Sequence, residues 1–283
     1  VLARTPDAPT GTKGISLFIV PKFMVNDDGT LGERNDVHVV SVEHKMGIRA
    51  SPTCVLAYGD NSDGAVGYLI GEENAGMRYM FTMMNHARLN VGLQGVAIAE
   101  AAYQHALAFA GQRVQSAPFG SGRTPVRIIE HADVRRMLLF QKSIVEGSMA
   151  LLVQCGLYED LEHVTEGEER ENYNLLLELL TPVAKSYPAE MGILSCSQGL
   201  QILGGYGFCE EFPLEQLYRD VRIHPIHEGT TGIQGQDLLG RKMRIKNGKA
   251  GQLYLAEVRK AITEAQEIPQ LKPFAGKLTE AVS

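Results

Sequence analysis

The first seventy residues carry apolar positions in short runs, some alternating with polar ones at the period of two that is typical of β-strands. Residues 36–44, DVHVVSVEH, show the alternation, while ISLFIV at 15–20 and TCVLAYG at 53–59 are short β-branched runs. Glycine-, proline- and asparagine-rich turns separate these runs. The pattern predicts part of an antiparallel sandwich or barrel. We expect its partner strands upstream of Val1, because so few strands would leave an open edge.

From about residue 74 the apolar positions recur every three or four residues, which predicts helices. The predicted helices cover residues 76–113, 127–158, 172–203, 214–220, 231–246 and 251–266. An acidic segment, EDLEHVTEGEEREN, is expected to form the corner after the second helix, and the glycine pair of GGYG to end the third with a positive φ. A stripe of small residues in the first helix permits close helix approach. This stripe consists of Gly92, Gly95, Ala99 and Ala102.

These elements predict a mainly α protein, an antiparallel helix bundle preceded by part of a small antiparallel β domain. We place the partial β domain at residues 1–72, the bundle at 73–246 and the start of a C-terminal extension, with a proline-containing tail, at 247–283. A chain of 283 residues is long enough to bury a large core and to hold two domains.

Composition excludes several classes of protein. The net charge is −6 and lysine and arginine are scattered, so a basic nucleic-acid binder is not expected. No apolar run reaches the roughly 18–20 residues that span a bilayer. The four cysteines show neither a CxxC pair nor a ligand spacing, which predicts reduced, mostly buried thiols and a reducing compartment. Cytoplasm is the expected location, with an organellar matrix left open because the sequence begins without methionine.

Common catalytic motifs are absent. The sequence has no Glu-x-x-His pair for a di-iron site and no His-Glu-x-x-His zinc motif, so no metal is expected. It also lacks a Rossmann fingerprint, a P-loop and a G-x-S-x-G elbow. The segment HPIHEGTTGIQGQ at 224–236 places the single carboxylate of Glu228 before a helix start. Taken alone, this acid is either a helix cap or a base held against a cofactor, and GGYGF alone is a helix stop.

Four stretches of the sequence, taken in order, resemble the acyl-CoA dehydrogenases. They are EHKMGIRASPTCVLAYGD, LIGEENAGMRYMFTMMNHARLNVG, QGLQILGGYGF and LYRDVRIHPIHEGTTGIQ. The resemblance runs from about residue 14 to 245, and the last two motifs are specific at this spacing. HADVRRML and the residues after 245 resemble the branch with an extended C-terminus, which includes 3-methylmercaptopropionyl-CoA dehydrogenase-like enzymes.

The resemblance implies FAD-dependent α,β-dehydrogenation of an acyl-CoA thioester. Glu228 occupies the position of the catalytic base, which removes the α proton while flavin N5 accepts the β hydride. Some members carry the base just before the arginine of the first long helix, but Ala87 stands there and cannot act. A carboxylate in a dry apolar slot is a stronger base, and Gly229 would let the thioester approach the backbone.

Further positions are carried over from the family residue by residue. The resemblance implies substrate contacts at Asn85, Arg88 and Gly229. It implies flavin contacts at Arg113, Gln201, Gly204, Gly205, Thr230 and Gly232. Because Gln201 and the glycine pair match a segment that meets the ADP part of a flavin held mainly by the neighbouring subunit, a homo-oligomer with a shared flavin site is expected. An electron-transfer flavoprotein-like acceptor would receive the electrons.

The sequence also departs from the family pattern. A longer loop follows Arg113, His131 stands where a glutamine is common, and Asn85 replaces a common aspartate. His227 replaces a common tyrosine and could either alter the pKa of the base or point to solvent. We expect the 283 residues alone not to turn over substrate, because the N-terminal helical domain and the flavin-ring-binding strands are expected upstream of Val1. Two alternatives stay open: a non-catalytic bundle for assembly or partner binding, and an acyl-CoA oxidase that uses dioxygen.

Overall fold

The computed structural model describes residues 1–61, 64–120 and 122–283. The chain divides into two compact units, Val1–Ala87 and Arg88–Ser283. The first unit carries short antiparallel strands and the second is helical, so the predicted mainly α fold with a small β portion is confirmed. The predicted domain limits at residues 72 and 246 stay predictions.

The strands of the first unit form three small antiparallel sheets. They are β1 (Leu2–Ala3), β2 (Ser16–Ile19), β3 (Phe23–Val25), β4 (Leu31–Arg34), β5 (Val37–Val42), β6 (Cys54–Tyr58) and β7 (Tyr68–Leu69). The sheet order is β1-β2-β7 in one sheet, with β3 paired to β4 and β5 paired to β6. The three predicted strands correspond to β2, β5 and β6. The other strands are only two to four residues long, too short for alternation to predict them.

Long helices dominate the rest of the chain. They are α1 (Gly76–Gln112), α2 (Ala132–Val164), α3 (Gly167–Leu203), α4 (Leu214–Val221), α5 (Thr231–Gln236), α6 (Lys249–Gln266) and α7 (Lys272–Val282). The predicted limits of α1, α4 and α6 agree with the structure within two residues. The predicted end of α3 is also confirmed, because Gly204 follows Leu203 with φ 60°. None of the described helices is both long and apolar enough to cross a membrane.

The predicted limits of α2 were wrong at both ends. The chain before it forms a bridge between Val114 and Arg127, and His131 is still extended, so α2 starts only at Ala132. The acidic segment predicted as a corner continues α2 to Val164 instead, because glutamate and leucine favour helix. The corner itself is only two residues long, and it is followed by the acidic first turn of α3, which suits a helix N-terminus.

The single helix predicted over residues 231–246 is also wrong. Helix α5 ends at Gln236, a π-helical turn spans Asp237–Arg241, and a tighter turn spans Lys242–Gly248. Ile245, Lys246 and Asn247 leave helical geometry entirely. The predicted tail contains helix α7, whose start is favoured by a proline in its first turn.

Helices α2 and α3 pack side by side in opposite directions because only two residues connect them. Asn174 donates to Glu162 (3.1 Å) near the connection. The ring of Tyr158 stacks on that of Tyr173 at 6.1 Å, and Gln141 donates to the Ser195 carbonyl (2.9 Å) at the far end. The early part of one helix therefore meets the late part of the other, as predicted for an antiparallel bundle.

The small-residue stripe of α1 lies against the backbone of α3. Pro188 has no N–H to donate to the carbonyl of Ala184, so that carbonyl is left without its usual helical partner. A Cβ added at Gly92 would lie 2.1 Å from this Ala184 oxygen, and one at Gly95 would lie 2.9 Å from the carbonyl oxygen of Pro188. The two backbones therefore approach more closely than any side chain at these positions would permit, which is what the predicted stripe requires.

Gly92→Ala is expected to lower the free energy of unfolding by about 1–3 kcal/mol, because the added methyl group would overpack a contact with backbone. The matched control is Gly147→Ala in the interior of α2, where an added Cβ meets nothing within 4 Å. There the better helix propensity of alanine should be neutral or stabilise by up to about 1 kcal/mol. Urea denaturation compares the two variants, and equal unfolding midpoints would contradict the close packing of α1 on α3.

All four cysteines are free thiols. Cys155 and Cys196 are buried, and Cys54 and Cys209 are partly exposed, so the predicted burial holds for two of the four, while their reduced state stays a prediction. Burial raises the pKa of Cys155 to about 11 and that of Cys196 to about 12. These two thiols are therefore protonated and packed as apolar groups.

Candidate functional site

The segment between α4 and α5 makes a tight turn that carries Glu228. Glu228 has φ 53° and Gly229 has φ 89°, so two consecutive residues stand in the left-handed region. A glutamate there is uncommon, and such strain persists only where surrounding contacts impose it. Thr230 then caps α5, its side chain accepting from the Ile233 N–H at 3.3 Å. Glu228 and Gly229 are half-buried, while Thr230 is exposed.

Two buried side chains hold this turn from inside the bundle. Lys185, on α3, has no exposed surface, and its ammonium donates to the carbonyls of His224 (2.6 Å) and Gly229 (2.7 Å). Gln234, on α5, donates to the carbonyls of Glu228 (3.1 Å) and Gly229 (3.3 Å). Burial and the nearby charge of Arg88 lower the pKa of Lys185 to about 8. The turn is therefore fixed by side chains from two different helices.

Two histidines precede Glu228 and lie against each other. The ring centroids of His224 and His227 are 5.4 Å apart. Burial, together with the charges of His227 and Lys185, lowers the pKa of His224 to about 4, so its imidazole is neutral at physiological pH. Burial also lowers the pKa of His227, against the opposing effect of Glu228. The Nε2 atom of His227 is buried, so the ring is not simply directed to solvent.

Helix α1 carries two of the three predicted substrate positions, at consecutive turns. Asn85 is half-buried. Arg88 is only 4% exposed, and its guanidinium donates to the carboxylate of Asp237 at 2.9 Å. The other oxygen of Asp237 accepts from Arg241 at 2.8 Å. Arg88 is thus fixed by an ion pair within the bundle, a partnership that its sequence position does not reveal.

A second feature is a pocket of about 600 Å³ where α1, α2 and the end of α3 meet. It brings together four of the residues predicted to contact a flavin, Arg113, Gln201, Gly204 and Gly205. No neighbouring atom lies within 4 Å of a Cβ placed on either glycine, so the backbone there is open. A cation, an amide side chain and open backbone are groups that can bind a phosphate-bearing nucleotide.

Aromatic side chains and a histidine complete the pocket. The guanidinium of Arg113 lies 6.0 Å from the ring centroid of Tyr206, which packs on Phe109 and Phe212. His131 also lines the pocket, and its Nε2 is 2.8 Å from the carbonyl of Gln115 in the long loop after α1. Because a carbonyl only accepts, this contact requires the proton on Nε2. His131 thus stands in the wall of the pocket, where sequence reasoning left its role open.

The structure therefore groups the predicted site residues in separate places. The pocket contains the four residues named above, and none of its lining residues belongs to the Glu228 turn. Glu228, Gly229, Thr230 and Gly232 lie together at the start of α5. Their roles stay predictions. Sequence reasoning missed Lys185, Gln234 and Asp237. Lys185 carried a usable signal, because it is a lone lysine on the apolar face of α3.

Comparison with known proteins gives a consistent result. Residues 74–243 match the family described as acyl-CoA dehydrogenase, C-terminal domain. The chain is 49% identical to the 3-methylmercaptopropionyl-CoA dehydrogenase of Ruegeria pomeroyi, over 94% of this chain and 44% of that protein. It is 46% identical to a butyryl-CoA dehydrogenase of Syntrophomonas wolfei, over 91% of this chain and 43% of that protein.

A solved structure shares the fold. The Caenorhabditis elegans protein ACDH-11, solved in complex with C11-CoA, superposes with a TM-score of 0.79 at 24% identity, covering 95% of this chain and 42% of that one. At this identity the likeness shows the fold alone. The chain spans less than half the length of each of these three proteins.

Proposed function

Because the chain belongs to the acyl-CoA dehydrogenase family, we propose that the protein catalyses FAD-dependent α,β-dehydrogenation of an acyl-CoA thioester, with Glu228 as the base. The observation that carries this proposal is the backbone of Glu228, held at φ 53° beside Gly229 at φ 89°. A helix cap needs no such strain, and Thr230, not Glu228, caps α5. Strain of this kind clusters at functional sites.

The chain's own residues are proposed to hold the acyl thioester and take its proton. Glu228 would accept the α proton on its carboxylate, a general-base role that needs a fixed and partly dehydrated acid. Gly229 has no side chain to keep the thioester from the backbone. Asn85 and Arg88 are proposed to line the acyl-CoA channel. Since Arg88 is bound to Asp237, we propose that it acts as part of the channel wall and contributes its positive charge.

FAD fits the residues of the pocket. The guanidinium of Arg113, the amide of Gln201 and the open backbone at Gly204 and Gly205 suit a nucleotide diphosphate. Thr230 and Gly232, which lie at the start of α5 and outside the pocket, are also proposed to contact the flavin nucleotide. Separate groups of contacts on one chain support a homo-oligomer in which each flavin meets two subunits. When bound, the flavin would supply the acceptor for the β hydride, and an electron-transfer flavoprotein-like protein would reoxidise it.

The complete protein is expected to carry a yellow chromophore that bleaches on anaerobic mixing with an acyl-CoA, and absorbance near the flavin maximum measures this. A panel of short, long, aromatic and thioether acyl-CoAs identifies the substrate class, with free CoA as the control. Bleaching by no thioester would favour a non-catalytic bundle, and hydrogen peroxide on re-aeration would favour an oxidase. The 283 residues alone are expected not to bleach, because they correspond to 44% of the Ruegeria relative.

A further inference from the structure

The side chain of Lys185 is a buried cation whose two described hydrogen bonds go to backbone. It is fully buried in α3, and it donates to the carbonyls of His224 at 2.6 Å and Gly229 at 2.7 Å. Burying an ammonium is unfavourable unless its N–H groups are satisfied, so a lysine here is tolerated only because these carbonyls receive it. The two carbonyls lie on either side of Glu228. The ammonium therefore holds the chain both before and after the proposed base.

These bonds set the direction of the peptide groups after Glu228. The side chain of Gln234 donates to the Glu228 carbonyl, which therefore points toward the bundle. Gln234 and Lys185 both donate to the Gly229 carbonyl. The described chain contains no cis peptide bonds, and in a trans peptide the N–H points opposite to the carbonyl. The N–H groups of Gly229 and Thr230 therefore point away from Lys185 and Gln234. Glu228, between these bonded carbonyls, stands in the left-handed region with φ 53°.

We infer that Lys185 is a positioning residue, which holds the carbonyls on either side of Glu228 inward and so fixes the direction of the Glu228 carboxylate. This rests on the proposed function, in which Glu228 takes the α proton. Lys185 does not touch the substrate, and it acts only through the turn. The rate of proton removal depends steeply on the position of the base, and a displacement of about 1 Å can lower a rate about 100-fold.

The charges around Lys185 are mixed. Arg88 on α1 opposes its positive charge, while Glu190 on α3 and Glu228 favour it; His224 and His227 face it from the turn. Burial and Arg88 bring the pKa of Lys185 to about 8. A neutral amine still has two N–H groups, which is enough for two carbonyls. The positioning role therefore does not depend on the charge of Lys185.

The test is Lys185→Met in the complete protein loaded with FAD. We expect the rate of flavin reduction at saturating acyl-CoA to fall about 100-fold, with substrate KM within about threefold of wild type. A general loss of structure would not separate these two constants. Lys185→Arg, which keeps a hydrogen-bond donor, should reduce flavin at least about tenfold faster than Lys185→Met. In the crystal structure of Lys185→Met, the Gly229 carbonyl should turn outward and Glu228 should leave positive φ.

The matched control is Lys242→Met. Lys242 is also a buried lysine, 2% exposed, with a pKa lowered by burial and Arg88 to about 8, but it pairs with Glu178 and not with the turn. Its rate of flavin reduction should stay within about threefold of wild type. Equal rates in Lys185→Met and Lys242→Met, with an unchanged turn in the crystal, would overturn the inference.

Two further variants keep the inference separable from its premise. If Glu228→Gln reduces flavin normally, the proposed function fails and the inference fails with it. If Glu228→Gln is slow and Lys185→Met is fast, only the inference fails. Should Lys185→Met not fold, Gln234→Met removes the other donor to the turn and should lower the rate about tenfold. A normal rate in that folded variant would then overturn the inference.

Discussion

Glu228→Gln in the complete protein is expected to lower the rate of flavin reduction by acyl-CoA about 10²- to 10⁴-fold, the usual contribution of a positioned general base. Glutamine keeps the size and hydrogen-bonding shape of the side chain but cannot accept a proton. The turn should be retained, because Lys185 and Gln234 hold it through carbonyls of the backbone. Anaerobic stopped-flow absorbance of the flavin measures the rate directly.

The control for this prediction is Glu190→Gln. Glu190 is a second carboxylate near the charge of Lys185, and it accepts a hydrogen bond from the Thr231 hydroxyl at 2.6 Å, which glutamine can also accept. Its rate should stay within about threefold of wild type. If both variants fall equally, a change in the local charge and not the loss of a base explains the effect. A wild-type rate in Glu228→Gln would remove Glu228 from the mechanism.

The helical fold was predictable because its signals are local and repeated. Over the thirty-seven residues of α1 the apolar spacing is sustained, and two of its glycines, Gly92 and Gly95, occur where the backbone of α3 approaches. The predicted limits of α2 were wrong because the helix propensity of its residues competes with tertiary contacts that the sequence does not display. Because Val114 and Arg127 form a β-bridge, α2 begins later than predicted. At its other end, helix-favouring residues extend α2 into the segment predicted as a corner.

Residues of the candidate site could be predicted only where they belong to a recognisable sequence motif. Glu228, Gly229 and Thr230 are adjacent in sequence, so a resemblance could identify them together. The groups that support them are distant in sequence: Lys185 lies forty-four positions before Gly229, and Asp237 lies 149 positions after Arg88. The spacing of apolar residues places Lys185 on a buried face, but not which carbonyls it meets. Such partnerships arise from packing and become visible only in the structure.

Arg88, a proposed substrate-channel residue, also forms a buried ion pair with Asp237 that we expect to stabilise the fold. The pair lies in a region with three buried cations, since Lys185 and Lys242 are both affected by the charge of Arg88. Asp237 compensates Arg88, and Glu178 compensates Lys242. Of these three cations only Lys185 is described as bonded to the turn that carries Glu228, and each of them is received by neighbouring acids or carbonyls.

Asp237→Asn is therefore expected to lower the free energy of unfolding by about 3–5 kcal/mol, the usual result of removing one partner from a buried ion pair. The side chains of Arg88 and Asp237 are only 5% and 8% exposed, so water cannot replace the lost carboxylate. Urea denaturation followed by circular dichroism measures the change. Because the loss comes from an unpaired buried charge, the double variant Arg88→Met with Asp237→Leu should recover much of it.

The control is Asp133→Asn, which removes a carboxylate from an ion pair of the same length. Asp133 lies 2.9 Å from Arg136, but the two side chains are 72% and 62% exposed, so solvent screens their attraction. Its effect should stay below about 1 kcal/mol. Equal losses at Asp133 and Asp237 would show that Asp237 acts as an ordinary surface charge. A double variant as unstable as Asp237→Asn would show that lost packing, and not the uncompensated charge of Arg88, causes the loss.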